Sequence, residues 1–198
     1  MEIVFATNND HKLKEVSAIL GKKYLILGLA DLDIRDEIPE DYHTLEENAS
    51  QKAWYIHRLT GKNCFADDTG LEVNVLGGEP GVYSARYSRV GDPVFPEMDI
   101  VEGNIRKLLL KMEGIANRSA QFRTVISLIM NEIEYRFEGL VKGEITMEPS
   151  GSEGFGYDPV FKPDGYKVTF AEMDLEEKNR ISHRALATAG MAQFLNEM

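Results

Sequence analysis

The chain has 198 residues, 43% of them hydrophobic, and carries 33 acidic against 22 basic side chains for a formal net charge of -11. That content supplies a sizeable core and argues against disorder, while a broad negative field opposes binding to a nucleic-acid polymer or an anionic membrane. A small phosphorylated ligand stays compatible where local cations or a divalent metal offset the field.

Cys64 is the only cysteine, so no intrachain disulfide forms, which favours a reducing compartment and a packing role for the thiol. The opening MEIVFATNND is too short in apolar residues for an export signal. The longest apolar runs, 25–29 and 125–130, have strand length and do not span a bilayer.

In chain order, residues 2–6 read as a first strand, followed by a polar loop and a helix carrying Leu13, Val16, Ile19 and Leu20. A strand near 24–29 and an acidic loop at 31–43 lead to Thr44-Leu45-Glu46-Glu47, a capping-box pattern that opens a helix with Leu45, Ala49, Ala53 and Ile56 on one face. Residues 63–66 read as a short buried strand with Asp67 and Asp68 emerging at its end, Thr69 and Gly70 as a turn, and 71–76 as a second strand closed by Gly77, Gly78, Pro80 and Gly81. A helix near 97–112 follows, with Val101, Ile105, Leu108, Leu109 and Met112 facing the core. Residues 121–130 and 133–145 are two long strands, the second solvated on one face. A glycine-rich loop at 151–158, short strands at 160–161 and 167–171, and one C-terminal helix complete an α/β pattern without repeats or linkers.

Four segments carry chemistry. Residues Asp67 to Tyr87, DDTGLEVNVLGGEPGVYSARY, combine paired carboxylates, a hydroxyl and a glycine-rich turn where α/β sheets place their sites. Because strand side chains alternate, only one of the two aspartates is expected in a given pocket. A tight hairpin with acids at a solvated bend explains the same residues. Thr7-Asn8-Asn9-Asp10-His11-Lys12 lies between the first strand and helix, where backbone N-H groups, the helix dipole and a lysine make an anion site. An ordinary Asx-type cap with a solvated lysine is the alternative. Gly154-Phe155-Gly156-Tyr157-Asp158-Pro159 suits a base pocket, with Phe155 stacking and Asp158 accepting a hydrogen bond, or else a turn with a core aromatic. In Lys178-Asn179-Arg180-Ile181-Ser182-His183-Arg184, Ser182 reads as a helix N-cap. It puts His183 and Arg184 in a first turn where cations are disfavoured unless an anion is present, the alternative being a surface cluster paired with Glu176 or Glu177.

Taken in order, TNNDHK, TLEENASQKA, FADDTGLEVNVLGGEPGVYSARY, GFGYDPVF and KNRISHRALA closely resemble the inosine triphosphatase family, the pyrophosphatases of non-standard purine nucleoside triphosphates. The resemblance spans essentially all of residues 1–198 and implies one NTP pyrophosphatase domain. Its implied fold is an elongated, two-lobed α/β structure, with a long central mixed β-sheet flanked by helices and the active-site cleft between the lobes. The implied reaction is hydrolysis of ITP, dITP and XTP to the nucleoside monophosphate and diphosphate, with Mg2+, by a cytoplasmic homodimer. Carried over by motif, Thr7, Asn8, Asn9, Asp10, His11, Lys12 and Lys52 belong to the triphosphate site, and Thr69 to a substrate contact. Glu47 and Asp68 match acidic residues associated with metal, and Asp68 also matches a proton acceptor. Phe155, Gly156, Tyr157 and Asp158 match the base pocket, as do Lys178, His183 and Arg184.

The residues are consistent with those roles. Magnesium takes oxygen ligands and keeps several waters, so a few carboxylates suffice. Glu47 is also the third helical position of the Thr44 capping box, where its carboxylate has a purely local use. An oxo-purine offers a carbonyl acceptor and an N1-H donor, and adenine reverses that pattern, so a donor near His183 and Arg184 with Asp158 as acceptor discriminates between them. An aspartyl-phosphate phosphatase needs Asp-x-Asp where this chain has Thr7-Asn8-Asn9. A nucleotide sensor without turnover has no use for the acids.

Overall fold

The computed structural model describes residues 1–35, 38–91 and 95–198, so residues 36 and 37 of the expected acidic loop lie outside the described residues. Seven strands form one mixed sheet: β1 (Glu2–Phe5), β2 (Leu25–Leu27), β3 (Cys64–Val73), β4 (Pro80–Gly81), β5 (Ser119–Met130), β6 (Ile133–Ile145) and β7 (Phe161–Pro163). Their order is β2-β1-β3-β5-β6-β7, with β4 beside β3. β1 pairs in parallel with β2 and with β3, whereas β4 on β3 and β7 on β6 are antiparallel. Asn131 and Glu132, both at positive φ, make the two-residue turn between β5 and β6. The helices are α1 (Asp10–Leu20), α2 (Leu45–Thr60), α3 (Ile100–Lys111), α4 (Leu175–Ile181) and α5 (His183–Glu197). Among the described residues no helix is long and apolar enough to cross a membrane.

The chain divides into two compact units, the first comprising 1–68, 124–140 and 182–198 and the second 69–123 and 141–181. Strand alternation builds the first unit in three layers. Ile3 and Phe5 of β1, with Phe65 of β3 and Ile126 and Leu128 of β5, pack against Val16 and Leu20 of α1 and Ala187, Met191 and Leu195 of α5. Val4, Ala6, Cys64, Ala66 and Ile129 point the other way, against Ala53 and Ile56 of α2. The expected apolar faces of the first two helices are therefore the ones used.

In the second unit, Leu71 and Val73 of β3, Leu108 and Met112 near α3, and Ala120 of β5 close around Phe122, Phe161 and Phe170. The Phe122 and Phe161 rings meet edge to face at 4.7 Å. Aromatic pairs of this kind add about 0.5–1.5 kcal/mol beyond the area they bury.

Several local expectations are corrected. Thr69 and Gly70 do not turn the chain; β3 runs through them without interruption to Val73, and Asn74–Leu76 form a 3-10 turn instead of continuing a strand. The cause is β4: a side chain at Gly70 would sit 2.8 Å from the Gly81 carbonyl oxygen, so glycine here permits close strand approach. The Leu71 N-H is bound by the Ser84 hydroxyl at 2.9 Å, which ties the SARY segment to the same strand. Residues 167–171 are not a strand, because Thr169 and Glu172 make a reciprocal capping box around the 3-10 turn Phe170–Glu172. The single C-terminal helix is two, α4 and α5, separated at Ser182, whose hydroxyl caps α5 as expected. Val101 is 39% exposed rather than core-facing, while Leu108 and Met112 are buried.

Candidate functional site

The functional side chains of the first unit gather at the carboxyl end of its part of β3. Continuing the alternation of that strand, Asp67 falls on the Phe65 side, toward α1 and α5, and Asp68 on the Cys64 and Ala66 side, toward α2. The two carboxylates consequently have different partners. Lys12 Nζ donates to Asp67 Oδ1 at 2.8 Å, and Arg184 Nε donates to Asp67 Oδ2 at 2.9 Å. The remaining side of the guanidinium is taken by Glu15, whose Oε2 accepts from Arg184 Nη1 at 2.6 Å. Across the strand, Lys52 Nζ donates to Asp68 Oδ1 at 3.0 Å and to Glu40 Oε1 at 2.6 Å.

These charges are nearly dry, with Asp67 2%, Asp68 7%, Lys52 5% and Arg184 1% exposed. Burial by itself raises the Asp67 carboxyl, but Lys12, Arg184 and Lys52 together outweigh it and hold the group well below the usual carboxylate range. Asp68 goes the other way: burial raises it, and the attraction of Lys52 and Lys12 does not fully compensate. Its second oxygen, Oδ2, is buried with no hydrogen-bond partner. A carboxylate oxygen in that condition is an open ligand position for a cation or an acceptor for a proton. Burial lowers Lys12, with Arg184 and Lys52 adding to the depression and Asp67 opposing it. At Lys52 the carboxylates of Asp68 and Glu40 overcome burial and keep the ammonium charged.

The TNNDHK loop makes the cap that its composition allows. The Thr7 hydroxyl accepts from the Asn9 N-H at 3.1 Å, and Asn9 Oδ1 accepts from the N-H groups of His11 and Lys12 at 2.9 and 3.2 Å. Asn8, Asp10 and His11 are exposed around that turn. The lysine, however, is not solvated: it reaches Asp67. Loop and lysine thus form a capped turn, with the Lys12 ammonium beside the paired aspartates.

In the second unit the GFGYDPVF segment forms a tight loop. Gly154, at φ +73°, admits no side chain, because a Cβ there would fall 2.1 Å from Asp158 Oδ2. That oxygen accepts from the Phe155 N-H and from Lys178 Nζ, both at 2.7 Å. Lys178 is buried and lies 5.0 Å from the Phe155 ring centroid and 5.8 Å from that of Phe170. The loop therefore holds Phe155 from behind through its backbone and from below through a cation. The Tyr157 hydroxyl donates to the Ser84 carbonyl at 3.0 Å, and burial pushes its ionisation up, so the phenol stays protonated.

The structure brings Lys12, Asp67, Lys52 and Asp68 together at the end of β3, and it gives several other expected residues different surroundings. Glu47 sits at the exposed start of α2, where its carboxylate accepts from the Thr44 hydroxyl at 2.8 Å and its N-H is capped by the same hydroxyl, so Thr44 is the N-cap but the carboxylate does not complete the expected capping box. Arg184, expected near the purine, is buried and donates to Asp67 and Glu15, so these two carboxylates supply anions for the cation at the start of α5 in place of Glu176. Glu176 pairs with Arg180 instead. Asp158, expected as the acceptor for N1-H, spends Oδ2 inside its own loop. Tyr157 directs its hydroxyl at the protein, not outward. His183 is buried in the first turn of α5, and Thr69 lies partly buried within β3.

Glu15 and Glu40 were missed. Glu15 was findable, since it follows Lys12 by three residues on α1 and so shares its face. In the sequence Glu40 is one acid among Asp31, Asp33, Asp36, Glu37 and Asp41, and no spacing rule distinguishes it from them.

Comparison with known proteins gives the family. The family model described as the Ham1 family matches residues 3–194. A protein of Porphyromonas gingivalis named dITP/XTP pyrophosphatase is 49% identical, the match covering 98% of this chain and 97% of that one. A protein of the same name from Flavobacterium psychrophilum is 46% identical over 98% of each chain. Among solved structures, a HAM1 protein from Coxiella burnetii superposes with a TM-score of 0.87 at 36% identity over the whole of both chains. By sequence along nearly its full length, and by fold, the chain belongs to the Ham1 family.

Proposed function

We propose that this protein hydrolyses the non-standard purine nucleoside triphosphates ITP, dITP and XTP to the nucleoside monophosphate and diphosphate, cleansing the nucleotide pool. The observation that carries the reading is the Asp68 carboxylate, held by Lys52 through one oxygen and buried without a partner on the other. Relatives named dITP/XTP pyrophosphatase at 46% and 49% identity support the choice of substrate.

Lys12, Lys52 and the TNNDHK turn bind the polyphosphate, and the two ammonium groups offset the charge that collects on the departing diphosphate. Their carboxylate partners keep them fixed before substrate arrives, so little reorganisation is needed. The donor set fits a divalent magnesium ion: Asp68 Oδ2 is an oxygen without a partner, and Glu40 supplies a second carboxylate at Lys52. Asp68 and Glu40 would hold it, with waters and phosphate oxygens completing the set; when bound, the ion supplies Lewis-acid neutralisation of phosphate charge. Asp68 also matches the position that accepts the proton of the attacking water, a role its raised pKa suits. In the second unit, Phe155 stacks on the purine and the loop backbone lies along its edge. Asp158 and Lys178 fix that loop. Selectivity requires donors at the six-carbonyl and an acceptor at N1-H. Adenine would meet the donors with an amino group and leave buried groups unpaired, at a cost of about 1–3 kcal/mol for each.

A homodimer in the cytoplasm completes the reading, supported by the family resemblance and by the single buried cysteine. The test is a panel of ITP, dITP, XTP, GTP and ATP with magnesium, quantifying diphosphate and monophosphate separately. Diphosphate release from the first three, with ATP slower by about a hundredfold, is the expected result. Release of single phosphates, or equal rates with ATP, contradicts the proposal.

A further inference from the structure

Four charges, three of them buried, are linked in series through the first unit. Glu15 Oε2 holds Arg184 Nη1 at 2.6 Å, Arg184 Nε holds Asp67 Oδ2 at 2.9 Å, and Asp67 Oδ1 holds Lys12 Nζ at 2.8 Å. Side-chain exposure is 5% at Glu15, 2% at Arg184 and 2% at Asp67, and it rises to 17% only at Lys12. The series therefore begins in the interior and ends at its one solvent-reaching member. It crosses three elements, since Lys12 and Glu15 share a face of α1, Asp67 belongs to β3 and Arg184 to α5.

We propose that Glu15 and Arg184 are positioning residues for the polyphosphate, acting through Asp67 on the Lys12 ammonium. The inference rests on the triphosphate reading above. Arg184 presents a planar fork whose two used edges face different carboxylates, so Glu15 and Asp67 share one cation. With Glu15 in place, the guanidinium is drawn from both sides and Asp67 keeps an oxygen on Lys12. Without the Glu15 charge, Arg184 leans wholly on Asp67 and competes with Lys12 for it. Lys12 then loses the contact that sets its direction, and a flexible four-carbon chain recovers rotamers that binding must freeze again. Glu15 never meets the nucleotide in this account, and neither does the Arg184 side chain.

The experiment is a double-mutant cycle read by calorimetric titration of inorganic diphosphate, with magnesium, into the full chain as wild type, Glu15→Gln, Lys12→Ala and the double variant. Glu15→Gln preserves shape and removes charge. It is expected to weaken diphosphate binding about tenfold, a change that corresponds to about 1.4 kcal/mol. In the Lys12→Ala background the same substitution should cost nothing further, since its effect passes through the lysine. In turnover of dITP, the Glu15→Gln apparent KM should rise by a similar factor while kcat changes less than about threefold. Should Glu15→Gln not fold, Glu15→Asp is carried through the same cycle; it keeps the charge and withdraws the carboxylate by one methylene, and a loss of several-fold restricted to the Lys12 background is expected.

Equal weakening in both backgrounds overturns the proposal, because it marks a general structural role. So does undiminished diphosphate binding in Glu15→Gln. A wild-type chain that binds diphosphate but hydrolyses no nucleotide sinks the enzymatic reading alone and leaves the coupling measurable. One that binds no diphosphate overturns both.

Discussion

Placing alanine at Gly139 and at Gly190 should move stability in opposite directions, although both lie in the first unit and both bear on α5. A Cβ built on Gly139 of β6 would stand 2.0 Å from the His183 carbonyl oxygen and 2.5 Å from the Ala187 nitrogen. Both are backbone atoms of one helix, so no side chain can swing aside and α5 itself has to lift away from the sheet. Overpacking of this kind costs about 1–3 kcal/mol, and the upper part of that range applies where backbone must move. For a chain of 198 residues, each kcal/mol shifts the melting temperature by about 2–4 °C, so Gly139→Ala should melt about 4–10 °C below wild type. Gly190 is an exposed glycine within α5, and its Cβ would meet only Phe137 Cδ1 at 3.8 Å, ordinary contact. There alanine removes the entropy penalty of a helical glycine, worth about 0.5–1 kcal/mol, and the melting temperature should rise by about 1–4 °C. Thermal unfolding followed by circular dichroism at one scan rate measures both. Because the Gly139 contact is to His183, turnover should fall with it as Arg184 is pulled from Asp67. A Gly139→Ala protein melting within about 2 °C of wild type would refute the claim that close strand-to-helix approach seats the start of α5.

Asp68→Asn should abolish diphosphate release from dITP and shift the melting temperature by less than about 5 °C, since Lys52 keeps Glu40 at 2.6 Å; normal turnover would remove Asp68 from the mechanism. Cys64 is fully buried, donates to the Ala53 carbonyl at 3.1 Å and has its thiol pushed up to about 12 by burial. It should resist thiol reagents at pH 8 in the native protein and react fully in denaturant. Since the folded value lies above the ordinary 9.0, the thiol's stabilising share is intact below about pH 9 and is lost as pH rises toward about 12. Comparing melting temperature against pH for wild type and Cys64→Ala isolates that share, and parallel curves would contradict it.

The sequence carried the patterns that local physics writes into a chain. Period-3.6 apolar faces on the first two helices, the Thr44 and Ser182 caps and the alternation of Cys64, Phe65 and Ala66 all depend on neighbours a few residues away. The ordered motifs likewise marked the Ham1 membership and the corner around Lys12, Lys52 and Asp68. Partnership across long separations was decided by tertiary structure alone. Residue 70 reads as a turn from its glycine, yet only the approach of Gly81 shows why that glycine continues a strand. Arg184 reads as a cation awaiting an anion, and the carboxylates that satisfy it stand 169 and 117 residues away. Glu40 is one acid among many until Lys52 selects it. A charged side chain takes its role from whatever shares its low-dielectric surroundings, and that company is assembled by the fold rather than by adjacency along the chain.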